Sequence, residues 1–270
     1  MRIGLVAAYL LSIAGIAHAG GAVFRIEVED IASGGEVEIT EMKVDGNRMR
    51  TDSSGKNATT MIFLGATDEM YMIDHNDKSY IVMDRETVER LANQMSAAMK
   101  QMEEALKNVP PEQREMVERM MKGKMKGMPS STPRAEPVVK SLGKSDSVNG
   151  VSCDWKEVSR DGVVELKVCV SGWTDIQGGD ELRQVGLEMK DFASALVDAM
   201  GSAGFGGTIA ESPMTAMEMA GGFPLITENF NRGNLTRRSR FQSVEEVAIP
   251  DDQIMPPSGY KKKDMGKMAR

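Results

Sequence analysis

The chain has 270 residues, a formal net charge of −7 and an aromatic content of 5%. An acidic chain stays soluble but lacks the general basic field that nucleic acid demands, and so few rings leave little to stack on bases or sugars. Two histidines and two cysteines supply scant material for imidazole catalysis, thiol redox chemistry or a metal centre, so no cofactor and no metal are expected.

Met1 and Arg2 form a short positive start, and Ile3 to Ala17 is an almost unbroken apolar run. Ala17, His18 and Ala19 then present the small-x-small pattern that a signal peptidase cuts, ahead of Gly20. The expectation is a secretory signal over residues 1–19, cleaved after Ala19, and an exported, periplasmic domain over residues 20–270. No cysteine follows the cut, which argues against lipid attachment there, and no later run has the length of a membrane span without charge.

Apolar residues at every second position from Phe24 to Glu29 predict a strand with one wet face. Val37 and Ile39 alternate with Glu36, Glu38 and Thr40, but Met42 and Val44 fall on the other parity, which predicts a bulge near Glu41. Asp45 and Gly46 signal a turn into Arg48 to Thr51. Thr59 to Leu64, Glu69 to Asp74 and Tyr80 to Met83 complete a meander of five or six antiparallel strands, with a turn at His75 to Lys78.

The period then changes. After Asp84, a suitable N-cap, Val88, Leu91, Met95, Met99, Met102 and Leu106 recur at spacings of three and four, an amphipathic helix with a methionine stripe. Pro110 and Pro111 end it and open a second helix bearing Met116, Met120 and Met121. Residues 108–137 read as a flexible helical insertion within one domain rather than a boundary. Strands resume at Val138 and run through a hairpin around Cys153 and Cys169. A helix follows Gly178 and Gly179, with Leu182, Val185, Met189, Phe192, Leu196 and Ala199 on one face. A Gly-rich stretch precedes a short helix at Ser212 and Pro213. A last hairpin, Phe223 to Asn231 and Leu235 to Ile249, leads to a proline-marked tail through Pro257. Strands and helices in this order make an α+β domain.

The two cysteines share one hairpin, and in an exported protein such a pair predicts a structural disulfide, Cys153–Cys169. Two registers compete. A three-residue loop at Arg160, Asp161 and Gly162 sets the cysteines directly opposite each other. Pairing Lys156 with Glu165 and Asp154 with Lys167 throws them onto opposite faces, and a bulge between turn and cysteines would reconcile the two. His75 reads as an exposed turn residue, and Glu27, Glu29, Glu36 and Glu38 as the polar positions of strands rather than a catalytic carboxylate pair. The basic runs Lys122 to Lys126, Arg237 to Arg240 and Lys261 to Lys263 read as solvated loop or tail. The methionines support core packing, a thioether site for Cu(I), or a surface that adapts to apolar ligands.

Several segments together resemble a bacterial exported family, domain of unknown function 4412: Asp68 to Met72, Lys78 to Tyr80, Pro110 to Arg114, Val148 to Cys153 and Ile249 to Pro256. A long meander with helices is also similar to periplasmic lipoprotein carriers. That likeness implies a curved antiparallel sheet, a half-barrel, wrapped around amphipathic helices with an apolar cavity between. With the export signal, the methionine-lined helices and the shortage of catalytic groups, the expectation is a non-catalytic periplasmic protein that binds an apolar ligand (a lipid or acyl chain), a lipoprotein or an envelope partner. The candidate surface combines Phe24, Ile26 and Val28 with Met95, Met99 and Met102, residues that a plain core also accommodates. The alternatives are an envelope protein with a structural or interaction role and no small ligand, or methionine-based Cu(I) handling.

Overall fold

The computed structural model describes residues 20–55, 58–107, 135–200 and 220–264. The first meander comprises β1 (Ala22–Asp30), β2 (Glu36–Asp45), β3 (Arg48–Ser53), β4 (Thr59–Leu64), β5 (Glu69–Asp74) and β6 (Ser79–Met83), and runs into α1 (Arg85–Lys107). The second comprises β7 (Val138–Val148), β8 (Val151–Arg160) and β9 (Val163–Ser171), then α2 (Gly179–Met200), then β10 (Phe223–Asn231) and β11 (Asn234–Glu246). A short helix α3 (Asp251–Ile254) and a two-residue strand β12 (Lys261–Lys262) follow.

Among the described residues all strands join one sheet in the order β12-β6-β5-β4-β3-β2-β1-β11-β10-β9-β8-β7. Every neighbouring pair is antiparallel except β12, which lies parallel to β6. The two meanders are sewn together where β1 pairs with β11, from Ala22 opposite Glu246 to Asp30 opposite Arg237.

One buried cluster takes Phe24 of β1, Val44 of β2, Met49 of β3, Phe63 of β4, Phe241 of β11, Phe223 of β10, Cys169 of β9 and Trp155 of β8. Leu182, Val185, Met189 and Phe192 of α2 belong to the same cluster. Laid flat, β4 to β8 would span about 34 Å at strand spacing, against about 10 Å for a helix. A single helix stripe shares one core with all of them because the sheet curls round it. Phe192 meets Phe63 at 5.9 Å between ring centroids, and Phe223 meets Phe24 at 5.8 Å and Phe241 at 5.4 Å. Burying each such ring contributes about 1.5–3 kcal/mol. The expected α+β domain, a curved and mainly antiparallel sheet around amphipathic helices, is thus the observed fold.

Local chemistry starts the helices where the sequence predicts. Asp84 caps α1 by accepting the Thr87 N–H at 2.7 Å. Gly178, at φ +70°, turns the chain into α2. A Cβ there would run into the Ala22 side chain and come within 3.3 Å of Phe24, so β1 and α2 meet through a glycine.

Three expectations are corrected. First, no bulge interrupts β2 at Glu41, since its registers with β1 and β3 run unbroken through that residue. The change of parity arises because Val37 and Ile39 occupy the outer face, 56% and 42% exposed, while Met42 and Val44 face inward. Second, the β8–β9 hairpin turns through Asp161 and Gly162 alone, both at positive φ, with Arg160 paired to Val163. A register shift between Val158 and Ser159, with Glu165 as the extra residue, then sets Trp155 opposite Cys169. The anticipated bulge exists. It leaves Cys153 two residues from Trp155 on the same face, diagonal to Cys169, and the disulfide closes across a Cα–Cα distance of 5.3 Å.

Third, the C-terminal stretch is no loose tail. Ile249 and Ile254 pack with Val23, Ile62 and Ile73 on the outer face of the first meander. The backbone bonds Val247 N–H to Gly21 O (2.9 Å), Lys261 N–H to Lys78 O (3.0 Å) and Lys263 N–H to Tyr80 O (2.8 Å) hold it along the sheet. The second predicted helix at Pro111, most of the 108–137 insertion and the Ser212 helix lie outside the described residues. No described helix is long and apolar enough to cross a membrane.

Candidate functional site

The first meander carries methionine where strands ordinarily carry Val, Ile or aromatic residues. Register places these side chains. Met61 of β4 lies opposite Met72 of β5, which lies opposite Ile81 of β6. One step along, Phe63 lies opposite Met70, and Met70 opposite Met83. Because strand side chains alternate faces, both rows point inward, and Met61, Met70 and Met83 flank the main core.

At the end of this face lies a cleft of about 670 Å³ lined by Met61, Met70, Met72 and Ile81, together with Thr59, Asp74, Asn76, Ser79 and Lys263. Met72 is 48% exposed, so its thioether is open to an incoming ligand. The charged groups of the lining are already engaged. Asp74 accepts the backbone N–H of Asn76 (2.9 Å) and Asp77 (3.2 Å), and Lys263 donates to Asp77 at 2.6 Å. What remains is a flexible apolar surface with polar groups at one end, the character of a site for a greasy molecule of variable shape.

From Thr60, which also lines the cleft, a polar chain fastens the C-terminal segment. The buried Thr60 hydroxyl donates to the Asp52 carboxylate, and therefore accepts from His75 Nε2 at 2.8 Å. His75 Nδ1 and the Tyr260 hydroxyl share a hydrogen bond of 3.0 Å, and the two rings meet edge to face. His75 is thus half-buried and bonded through both nitrogens, which corrects its reading as an exposed turn residue. Burial alone would raise the Asp52 carboxyl above its ordinary pKa. Hydrogen bonds from Arg50 and Thr60 outweigh it and hold the group below that value. Near the other end of β5, burial and the Glu69 carboxylate push Tyr71 up to about 12. In this chain the Thr60 oxygen points its proton at Asp52, so it lacks the arrangement of a nucleophile activated by His75.

The residues singled out from sequence separate. Phe24 is fully buried in the main core. Ile26 and Val28 are half-buried further along β1, beside Thr40 and Phe241, and Glu38 and Ser239, respectively. Met95, Met99 and Met102 lie on α1, which packs against β6 and α2, but their side chains fall outside the described residues. Sequence periodicity assigns the adaptable methionines to helices and misses Met61, Met70 and Met72. The signal is the inward parity of β4 and β5, readable once their register is known.

Cys153 and Cys169 form the predicted disulfide, buried beside Trp155 in the main core. Arg237 and Arg238 sit within ion-pair distance of Asp30 and Glu29, and Arg238 also bonds Glu228 at 3.1 Å, so this basic run is laced into the sheet surface. Among the described residues no group of three or more His, Cys, Asp or Glu side chains is gathered to hold a metal ion.

No protein-family model matches the chain, and no curated protein matches it. Among solved structures it is similar to an uncharacterized conserved protein from Thermus thermophilus, at a TM-score of 0.45 and 4% identity over 91% of this chain and 90% of that one. PNGF-II, in crystals of space groups C2 and P21, gives TM-scores of 0.39 and 0.38 at 8% and 7% identity. These alignments cover 92% and 93% of this chain but 32% of PNGF-II, so the chain spans about a third of that protein's length.

Proposed function

We propose that the chain is an exported, periplasmic, non-catalytic protein that takes up an apolar ligand, a lipid or acyl chain, on the inner face of its curved sheet. The observation that carries this reading is the cleft of about 670 Å³ floored by Met61, Met70, Met72 and Ile81. Its volume falls within the range of small-molecule sites, and unbranched thioether side chains adjust to alkyl chains of different length. The polar groups at Asp74, Asn76 and Ser79 suit the headgroup end of such a molecule. The leader-like residues 1–19 and the disulfide agree with an oxidising compartment. The likeness to lipoprotein carriers read from the meander belongs to the same proposal, as does an envelope protein or lipoprotein as donor or acceptor of the ligand.

The test is uptake of a fluorescent long-chain fatty acid by the mature protein and by Met72→Asp. Met72 is largely outside the packed core, so the substitution should change stability by less than about 1 kcal/mol. A charge in the cleft should nevertheless abolish uptake. Uptake equal to that of the wild type would refute the assignment of this cleft.

A further inference from the structure

We propose that Met61, Met70 and Met72 also form a thioether site for a soft monovalent metal ion, Cu(I). This goes beyond the apolar-ligand reading, because it assigns the same cleft a chemistry that depends on sulfur rather than on apolar volume.

Three observations carry it. Met61 and Met72 are directly opposite each other on β4 and β5, where paired Cβ atoms lie about 4.5–5.5 Å apart. Met70 is on the same face two residues along β5, about 7 Å away in the strand direction, and all three line one cleft. Each sulfur sits at the end of two flexible bonds beyond Cβ, so three thioethers on such a triangle can turn toward a common point between them. Met72, 48% exposed, leaves that point accessible from solvent.

The ligand type selects the ion. Neutral thioethers are soft donors that favour Cu(I) over Zn(II), Mg(II) or Ca(II), which require imidazole, thiolate or several oxygens. Asp74 is the one carboxylate in the lining, and it already accepts two turn amides. Lys263, the one cation in the lining, is paired with Asp77 and does not oppose a positive ion at the sulfurs. A face needed solely for apolar packing would be served by Val, Ile or Phe, which strands favour over methionine.

The experiment is an anaerobic titration of the full mature chain with Cu(I) against a chromophoric Cu(I) chelator. It is run on the wild type, Met61→Leu, Met72→Leu and, as a control on α1, Met99→Leu. Leucine keeps the volume and the apolar character and removes the sulfur, so the fold should persist. The expected result is one equivalent bound by the wild type and by Met99→Leu, and affinity reduced more than about tenfold in Met61→Leu and Met72→Leu. Circular dichroism should be unchanged in both cleft variants. Failure of the wild type to compete for Cu(I) overturns the proposal, as does unchanged affinity in either cleft variant or loss confined to Met99→Leu. Fatty-acid uptake reports separately on the apolar-ligand reading, so the two fail independently.

Discussion

The two halves of the sheet solve the same packing problem with different side chains. In the second meander the inner face is built from Trp155, Cys169, Phe223, Leu225 and Phe241, closed by α2 and locked by the Cys153–Cys169 bridge. In the first, beyond Phe24, Val44, Met49 and Phe63, the inner face carries Met61, Met70, Met72 and Met83, and it ends in an open cleft. Rings and a disulfide hold one geometry, whereas thioethers on rotatable stems tolerate several. The first half recovers rigidity from behind, where the C-terminal segment packs Ile249 and Ile254 against its outer face. One half is a frame and the other is a surface that can adapt while remaining anchored.

That contrast breaks most visibly at Phe223, whose ring touches Phe24, Trp173 and Phe241. Phe223→Ala should cost about 3–5 kcal/mol, read from the urea midpoint, and a loss below about 1 kcal/mol would deny the second half its role as frame. Replacing both cysteines by alanine, which opens a connection across a sequence separation of 16, should cost about 3 kcal/mol in the same measurement. On the other half, His75→Ala removes the link between Thr60 and Tyr260 and should cost about 1–2 kcal/mol. Hydrogen exchange should then accelerate at the backbone N–H groups of Lys261 and Lys263 before the rest of the sheet opens.

Asp52 adds a pH dependence to the same half. Its folded-state pKa is depressed, so its contribution to stability is complete above the ordinary carboxylate value. That contribution is lost as pH falls through the lower folded-state value. Urea midpoints taken from about pH 6 to about pH 3 should fall less steeply for Asp52→Asn than for the wild type at the acid end. The smallest effect belongs to Met70→Leu, a near volume-conserving change that should cost less than about 1.5 kcal/mol. A larger loss would mean that the methionine face is as exacting as the aromatic one.

Much of the architecture is legible because local rules and global fold agree. Alternation at Phe24 to Glu29, the Asp84 cap and the Leu182–Phe192 stripe each name an element and its buried face. The observed strands and helices follow those signals. The disulfide is legible from the leader-like start of the sequence and the cysteine count. The register of its hairpin is not, because a two-residue turn plus a bulge at Glu165 preserves the sulfur faces while shifting every pair between them. At Val37 and Ile39 the period-2 rule itself misleads. An apolar residue on a strand does not have to face the core, and here two of them face solvent.

The candidate site is less legible than the fold. Phe24 belongs to a correctly predicted strand, yet it lies in the core, while Met61, Met70 and Met72 carry no local mark in strands that are themselves plain from alternation. His75 reads as a solvated turn residue because its partners lie far from it in sequence, Thr60 by 15 residues and Tyr260 by 185.

From the sequence by itself come the α+β class, the order of the elements, the polarity of most strand faces and the pairing of the two cysteines. These follow from side-chain periodicity and from the count of reactive groups, which are properties of neighbouring residues. Tertiary structure alone decided that β1 joins β11, that the segment 247–263 braces the first meander, and that three methionines from two strands share one cleft. Each of those depends on contacts between segments distant along the chain. No local pattern encodes them, and they appear when the whole sheet curls to bury a single helix stripe.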